Sequence, residues 1–184
     1  MALRTPFRLL AATATFSLLA ITGHVQAATY TMTGDTTGAP TFNRPVQGLG
    51  SLSGVGTAVH YQTFSFSVDT SGSYSFTSLA SPTWDNFLIL YHTSFNPAAA
   101  LSNAVIANDD SPSVGSSAFT TNLSSGTQYI LVTTGFGNNH FGAYTDTITG
   151  PGNVVAVPEP ESYALMGAGL GLLAWVSRRR QAKA

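Results

Sequence analysis

The sequence predicts an all-β domain: an antiparallel β-sandwich or jelly roll of about seven or eight strands, flanked by an N-terminal signal peptide and a short C-terminal transmembrane helix. Three observations lead there. Apolar and hydroxyl residues alternate with period two between residues 60 and 149, clusters of Gly, Pro, Asn, Asp and Ser punctuate that alternation, and both ends of the chain carry apolar runs with basic flanks.

Taken in order, Arg4 and Arg8 form a basic start and residues 9–21 an apolar stretch. Val25 and Ala27 place small residues where signal peptidase reads, so cleavage is expected after Ala27, with Ala28 opening the mature chain. Residues 28–59 are rich in Gly, Thr and Ser, with one short strand expected at 30–33. The glycines at 48, 50 and 54 fit neither a dinucleotide fingerprint nor a Walker loop and read as a plain loop. From His60 the pattern sharpens into the domain proper, 60–149. Phe64, Phe66 and Val68 alternate with Ser65 and Ser67, and Asp69-Thr70-Ser71-Gly72 turns. Tyr74 and Phe76 then alternate with Ser73, Ser75 and Thr77, and the two segments read as a hairpin. After Ser81-Pro82, the unbroken apolar run Phe87-Leu88-Ile89-Leu90-Tyr91 predicts a central strand covered on both faces. Short strands are expected near 105–106, at 117–123, at 129–133 and at 142–149, separated by Asn108-Asp109-Asp110-Ser111-Pro112, Ser124-Ser125-Gly126-Thr127 and the 135–139 loop. Residues 150–156 read as a linker.

Composition narrows the function. The whole chain has a formal charge of −1, but residues 28–157 hold one basic residue, Arg44, against six aspartates, a net charge of −5. A phosphate-binding surface needs clustered Lys and Arg, so nucleic acid is excluded as a partner. Without cysteine there is no disulfide framework and no thiol chemistry. His60, His92 and His140 lack metal-ligand spacing, no Gly-x-Ser-x-Gly elbow occurs, and no glutamate precedes Glu159. The reading is a non-enzymatic protein with no catalytic residues.

The tail is the most specific stretch. Pro158 and Pro160 hold Glu159 extended, because each proline fixes its own φ and drives the preceding residue out of the helical region. An apolar run of 14 residues, 163–176, follows, and Ser177-Arg178-Arg179-Arg180 closes it as a basic stop. A helix of that length reaches only ~21 Å, short of the ~30 Å hydrocarbon core, so it spans only with Trp175 at the interface and the arginines snorkelling. The arginines place the C-terminus on the cytoplasmic side. Proline motif, short span (163–177) and arginine stop, over 157–180, resemble the PEP-CTERM sorting signal of Gram-negative bacteria. The resemblance implies recognition by an exosortase-type membrane transpeptidase, cleavage near the motif and delivery to the cell surface or exterior, with only transient residence in the inner membrane. A permanently anchored inner-membrane protein is the alternative.

A second resemblance rests on Phe64-x-Phe66-x-Val68, Gly72-x-Tyr74-x-Phe76, the run from Asp85 to Tyr91, Asn108-Asp109-Asp110, and Leu123 followed by Gly126-Thr127-x-Tyr129-x-Leu131-Val132. These segments look like the bacterial pre-peptidase C-terminal domain, which implies a jelly-roll sandwich serving as a non-catalytic module that binds polymer or surface. Two candidate sites follow from the residues themselves. Asp85, Asp109 and Asp110 offer hard oxygens from two loops, the donor type that a weakly bound Ca²⁺ takes, while the competing reading is that these residues cap a turn by bonding their own backbone amides. Trp84, Phe136, Phe141 and Tyr144 could stack on the apolar faces of sugars, or simply fill the core. The expected partners are therefore signal peptidase and exosortase during export, and exopolysaccharide or envelope afterwards, with a carbohydrate-active enzyme or its accessory module as the competing class.

Overall fold

The structure, a computed structural model, describes residues 27–158 together with 168–170 and 172. Ten strands appear among the described residues: β1 (Ala28–Asp35), β2 (Thr41–Phe42), β3 (Val59–Val68), β4 (Gly72–Ser81), β5 (Asn86–His92), β6 (Ala104–Asn108), β7 (Ser116–Leu123), β8 (Tyr129–Gly135), β9 (Ala143–Gly150) and β10 (Val154–Ala156). They form two antiparallel sheets, one in the order β1-β9-β4-β7 and the other in the order β10-β3-β8-β5-β6, with β2 also on β3. This is the expected sandwich. It has more strands than expected because β2 and β10 are too short to carry a period-two signature.

The unbroken apolar run has the predicted explanation. Leu88 and Leu90 of β5 and Tyr129 and Leu131 of β8 point into the interior between the sheets, where they meet Phe66, Tyr74, Phe76, Phe119 and Ile148. Phe87, Ile89 and Tyr91, with Ile130 and Val132, point the other way into a second apolar layer with Phe42, Val59 and Ala100. Every residue of β8 is buried, as is every residue of β5 except His92. The second layer is roofed by segments outside the regular strands, which supply Leu49 and Phe95, and Phe42 and Phe95 meet edge to face at 5.3 Å. In contrast, the four-stranded sheet turns hydroxyls outward. Thr29, Thr31 and Thr33 of β1 stand directly across from Thr149, Thr147 and Thr145 of β9.

Three sequence expectations change. The predicted hairpin of β3 and β4 does not form: β3 pairs with β8 and β10, while β4 pairs with β7 and β9 in the opposite sheet. The turn at 69–71 carries the chain across the sandwich, and Phe66 and Phe76 face one another through the core at 6.1 Å. Period two fixes which face of a strand is apolar but leaves its neighbour open. Residues 28–59 are not a separate segment, because β1 pairs with β9 along its whole length and the following loop roofs the second apolar layer. Residues 150–156 are not a free linker, because β10 pairs with β3. The signal-peptide residues through Gln26, including Val25, and the tail beyond Pro158, apart from 168–170 and 172, lie outside the described residues. Among the described residues no helix is long and apolar enough to cross a membrane. β1 opens at Ala28, directly after the expected cleavage position at Ala27.

One charge sits inside the sandwich. Asp146 of β9 is 1% exposed; the Thr133 hydroxyl donates to its Oδ2 at 2.5 Å, and its Oδ1 has no hydrogen-bond partner. Ser78 stands across the ladder, and among the described residues no cation is paired with the carboxylate. Burial pushes this carboxyl up to about 6, against the opposing pull of the Ser78 and Thr133 hydroxyls. The folded state therefore holds the proton more tightly than the unfolded chain between about pH 4 and 6. Stability from this group is present at acid pH and is lost as pH rises through that window. Asp146→Asn is expected to raise the neutral-pH melting midpoint, by roughly 2–3 kcal/mol of stability, and to flatten the pH dependence between 4 and 6. Thermal melts of both proteins across that range check it.

Candidate functional site

The acidic residues singled out in the sequence converge at one end of the six-stranded sheet. Asp85 precedes β5, and Asp109 and Asp110 follow β6, the strand hydrogen-bonded to β5. Antiparallel pairing of Leu88 with Asn108 thus brings the start of one strand beside the end of the other. Carboxylate oxygens of the three residues lie within 4.8 Å of one another. The backbone beneath them is fixed from β7. The Ser117 hydroxyl donates to Asn86 O at 3.0 Å and also lies against Asp109 O, and Asn108 Oδ1 accepts the Ala118 amide at 3.0 Å. Asn86, wholly buried, donates to Ser78 O at 3.1 Å. These contacts hold both acidic loops through the main chain and the Asn108 side chain rather than through the carboxylates. Asp85 Oδ1 and Asp109 Oδ1 are buried with no hydrogen-bond partner.

Arg44 is the counter-charge and went unremarked in the sequence as a site residue. Its side chain is 2% exposed. Nε and one terminal nitrogen donate to Phe136 O at 3.0 and 2.8 Å, and the other terminal nitrogen donates to Pro45 O at 2.9 Å. The guanidinium lies 4.0 Å from the Phe87 ring centroid and 4.7 Å from that of Phe136, a cation held between two aromatic faces. Burial lowers its pKa, and Asp109 and Asp85 oppose that shift. Being the lone basic residue of 28–157, Arg44 could have been suspected from composition, but nothing in its neighbours signals burial.

One buried cation does not neutralise three carboxylates. Burial raises Asp109 to about 6, with Asp85 and Asp110 adding repulsion and Arg44 pulling it down. Burial also raises Asp85, against His140 and with Asp110 adding to the rise. His140 Nδ1 lies 3.4 Å from Asp85 Oδ2 and 3.2 Å from the Gly137 amide nitrogen. The donor set is hard oxygen from two anchored loops, with two oxygens lacking a partner. That set fits a divalent cation of the calcium type.

The four aromatic candidates do not assemble into one platform. Tyr144 is 7% exposed and donates to Gln62 Oε1 at 2.9 Å, so its ring faces belong to the interior and leave the sugar-stacking set. Phe136 is taken up by Arg44 and by the second apolar layer. Trp84 and Phe141 remain near the surface on neighbouring loops. Trp84 Nε1 donates to Ala143 O at 2.9 Å, and Phe141, 39% exposed, meets His60 edge-on at 5.1 Å.

At the other end of the chain, Pro158 is exposed directly behind β10. The chain carries a PEP-CTERM protein-sorting motif at residues 156–181. The PEP-CTERM signal marks an exported protein processed by an exosortase, and it covers the proline motif, apolar run and arginine stop as the sequence laid them out. Among solved structures, the sandwich is similar to the pre-peptidase C-terminal domain of a collagenase from Bacillus anthracis. Identity there is 13%, covering 65% of this chain and 87% of that one, with a TM-score of 0.41. The K1 cleaved adhesin domain of Lys-gingipain from Porphyromonas gingivalis gives 16% identity, 72% and 99% coverage and a TM-score of 0.36. The K3 domain of the same protein gives 14%, 68%, 91% and 0.35. No curated protein matches the chain in sequence.

Proposed function

We propose that this protein is a non-enzymatic module of the cell surface or extracellular matrix. It is exported through its signal peptide, handed over by its PEP-CTERM tail, and associated there with exopolysaccharide or envelope. The observation that carries this is the sorting motif beginning on the last strand of a folded sandwich. An address of that kind serves a cargo that works outside the inner membrane, and a surface poor in charge and rich in hydroxyls suits a neutral, hydrated polymer. In a Gram-negative host with an exosortase, the released form is expected to lack residues 163–184 by intact mass. Pro158→Ala with Pro160→Ala is expected to keep the tail and stay with the inner membrane. Released material that still carries Trp175 would end the sorting reading.

Glycan contact, in this reading, falls to Trp84 and Phe141 beside Asp85. Processed protein is expected to be retained on exopolysaccharide, and Trp84→Ala to lose that retention while remaining folded by circular dichroism at the assay temperature. Turnover of the polysaccharide, abolished by Asp109→Asn, would favour the carbohydrate-active enzyme instead, because Asp109 near 6 is suited to proton transfer.

The same end supports a second reading, a Ca²⁺ held by Asp85, Asp109 and Asp110. Two partnerless buried oxygens and a charge excess over Arg44 favour it. At pH 7.5, Ca²⁺ is expected to raise the melting midpoint over chelator. The gain should shrink as pH falls through about 6, where protons compete for Asp109. Asp109→Asn should abolish it, and an unchanged wild-type midpoint removes the ion.

A further inference from the structure

The sorting motif leaves the sandwich with almost no slack. β10 pairs with β3 through Val154–Val68, Val155–Ser67 and Ala156–Phe66, and the Val157 amide donates to Ser65 O at 2.8 Å. Pro158 is the next residue. Only five residues, 158–162, separate Val157 from the apolar run that begins at Tyr163. Fully extended, they reach ~17 Å. A membrane transpeptidase must grip backbone on both sides of the bond it cuts. With β10 in place, the backbone just before the motif is already spent on β3.

The two sides of this junction differ in how firmly they are built. Before β10 the chain is locked. Asp69 accepts the Asn153 backbone amide and side-chain amide, each at 2.8 Å, and its own amide donates to Asn153 O at 3.2 Å. Gly150 lies so close to the Tyr74 ring, and Gly152 to Asp69 and Thr70, that neither position has room for a Cβ. The Tyr74 hydroxyl, donating to Thr70 O at 2.7 Å, ties the same corner to β4. β10 itself is lightly held. Val154 packs against the main core only partly buried, while Val155 is 50% exposed and Ala156 is exposed. A three-residue edge strand with one apolar anchor belongs to the low-stability end of a fold.

Resting on the sorting reading above, we propose that β10 is a release strand. The exosortase takes the chain with residues 154–157 peeled from β3, and the Asp69–Asn153 corner is the fixed point at which peeling stops. Releasing four residues adds ~14 Å of reach, nearly doubling the distance available between sandwich and membrane. It also frees an extended backbone edge for strand-type recognition by the enzyme. After cleavage the strand can return to β3, so the processed domain keeps its full sheet.

The test uses the full chain in a Gram-negative host with its exosortase, reading the cleaved fraction over time. Ser67→Cys with Val155→Cys places cysteines at directly opposed positions on β3 and β10, within reach of a disulfide. They are the only cysteines present, so no other pairing competes. The oxidised chain is expected to accumulate uncut and to resume processing when a reductant is added. Val155→Pro removes a ladder donor from β10 and is expected to mature faster than wild type at an unchanged melting midpoint. Stapled chain cut at the wild-type rate, or Val155→Pro maturing no faster, overturns the proposal. Wild type cut no faster than the Pro158→Ala, Pro160→Ala control removes the sorting reading instead.

Discussion

The pairing of β5 with β8, buried on both faces, is the constraint from which the rest of the structure follows. Two adjacent strands with almost every side chain withdrawn from water need an apolar layer above and another below. The four-stranded sheet provides one. No second sheet among the described residues covers the other, so the short strand β2 with Phe42 and irregular segments carrying Leu49 and Phe95 are drawn over it. A residue such as Leu90 fills the first layer and Tyr91 the second. Each fully buried large side chain of this kind contributes about 1.5–3 kcal/mol, and with no disulfide the domain depends on both layers.

The same arrangement creates the polar site. Roofing the second layer brings the loop of Arg44 over Phe87 and against the Phe136 carbonyl, so the lone Lys or Arg of residues 28–157 is spent inside the roof. The start of β5 and the end of β6 meet there, and Asp85, Asp109 and Asp110 crowd together. Their raised pKa values arise first from burial and then from mutual repulsion that Arg44 only partly offsets. Asp146 is a different case. It is buried alone with hydroxyl company, and its charge has no counterpart. One group of carboxylates gathers charge at a loop edge, whereas the other is sealed in the core and acts on stability.

Sorting and fold meet at the C-terminal corner. A signal read outside the membrane must be presented extended and within reach, and the sandwich ends in an edge strand that is already extended. The corner before that strand is held by close backbone packing and the Asp69–Asn153 contacts, whereas the strand itself buries little. Cargo and address therefore adjoin in sequence at an edge strand, the sorting motif beginning at the last residue of β10.

Much of this was legible in the chain alone. Alternation at Phe64-Phe66-Val68 and Tyr74-Phe76, the double-sided run at 87–91 and the punctuation between them specify a β-sandwich, because side-chain period and burial are local properties. The PEP-CTERM tail was legible for the same reason: prolines, apolar length and arginines act through their own chemistry wherever the chain ends. The grouping of Asp85 with Asp109 and Asp110 was reachable as a suspicion. Tertiary structure alone decided which strands are neighbours. It put β3 and β4 in opposite sheets, buried Arg44 and Asp146, turned Tyr144 inward, and converted an apparent linker into β10. Those outcomes depend on pairing between residues as far apart as Ala28 and Gly150, and a period of two is blind to the identity of the partner.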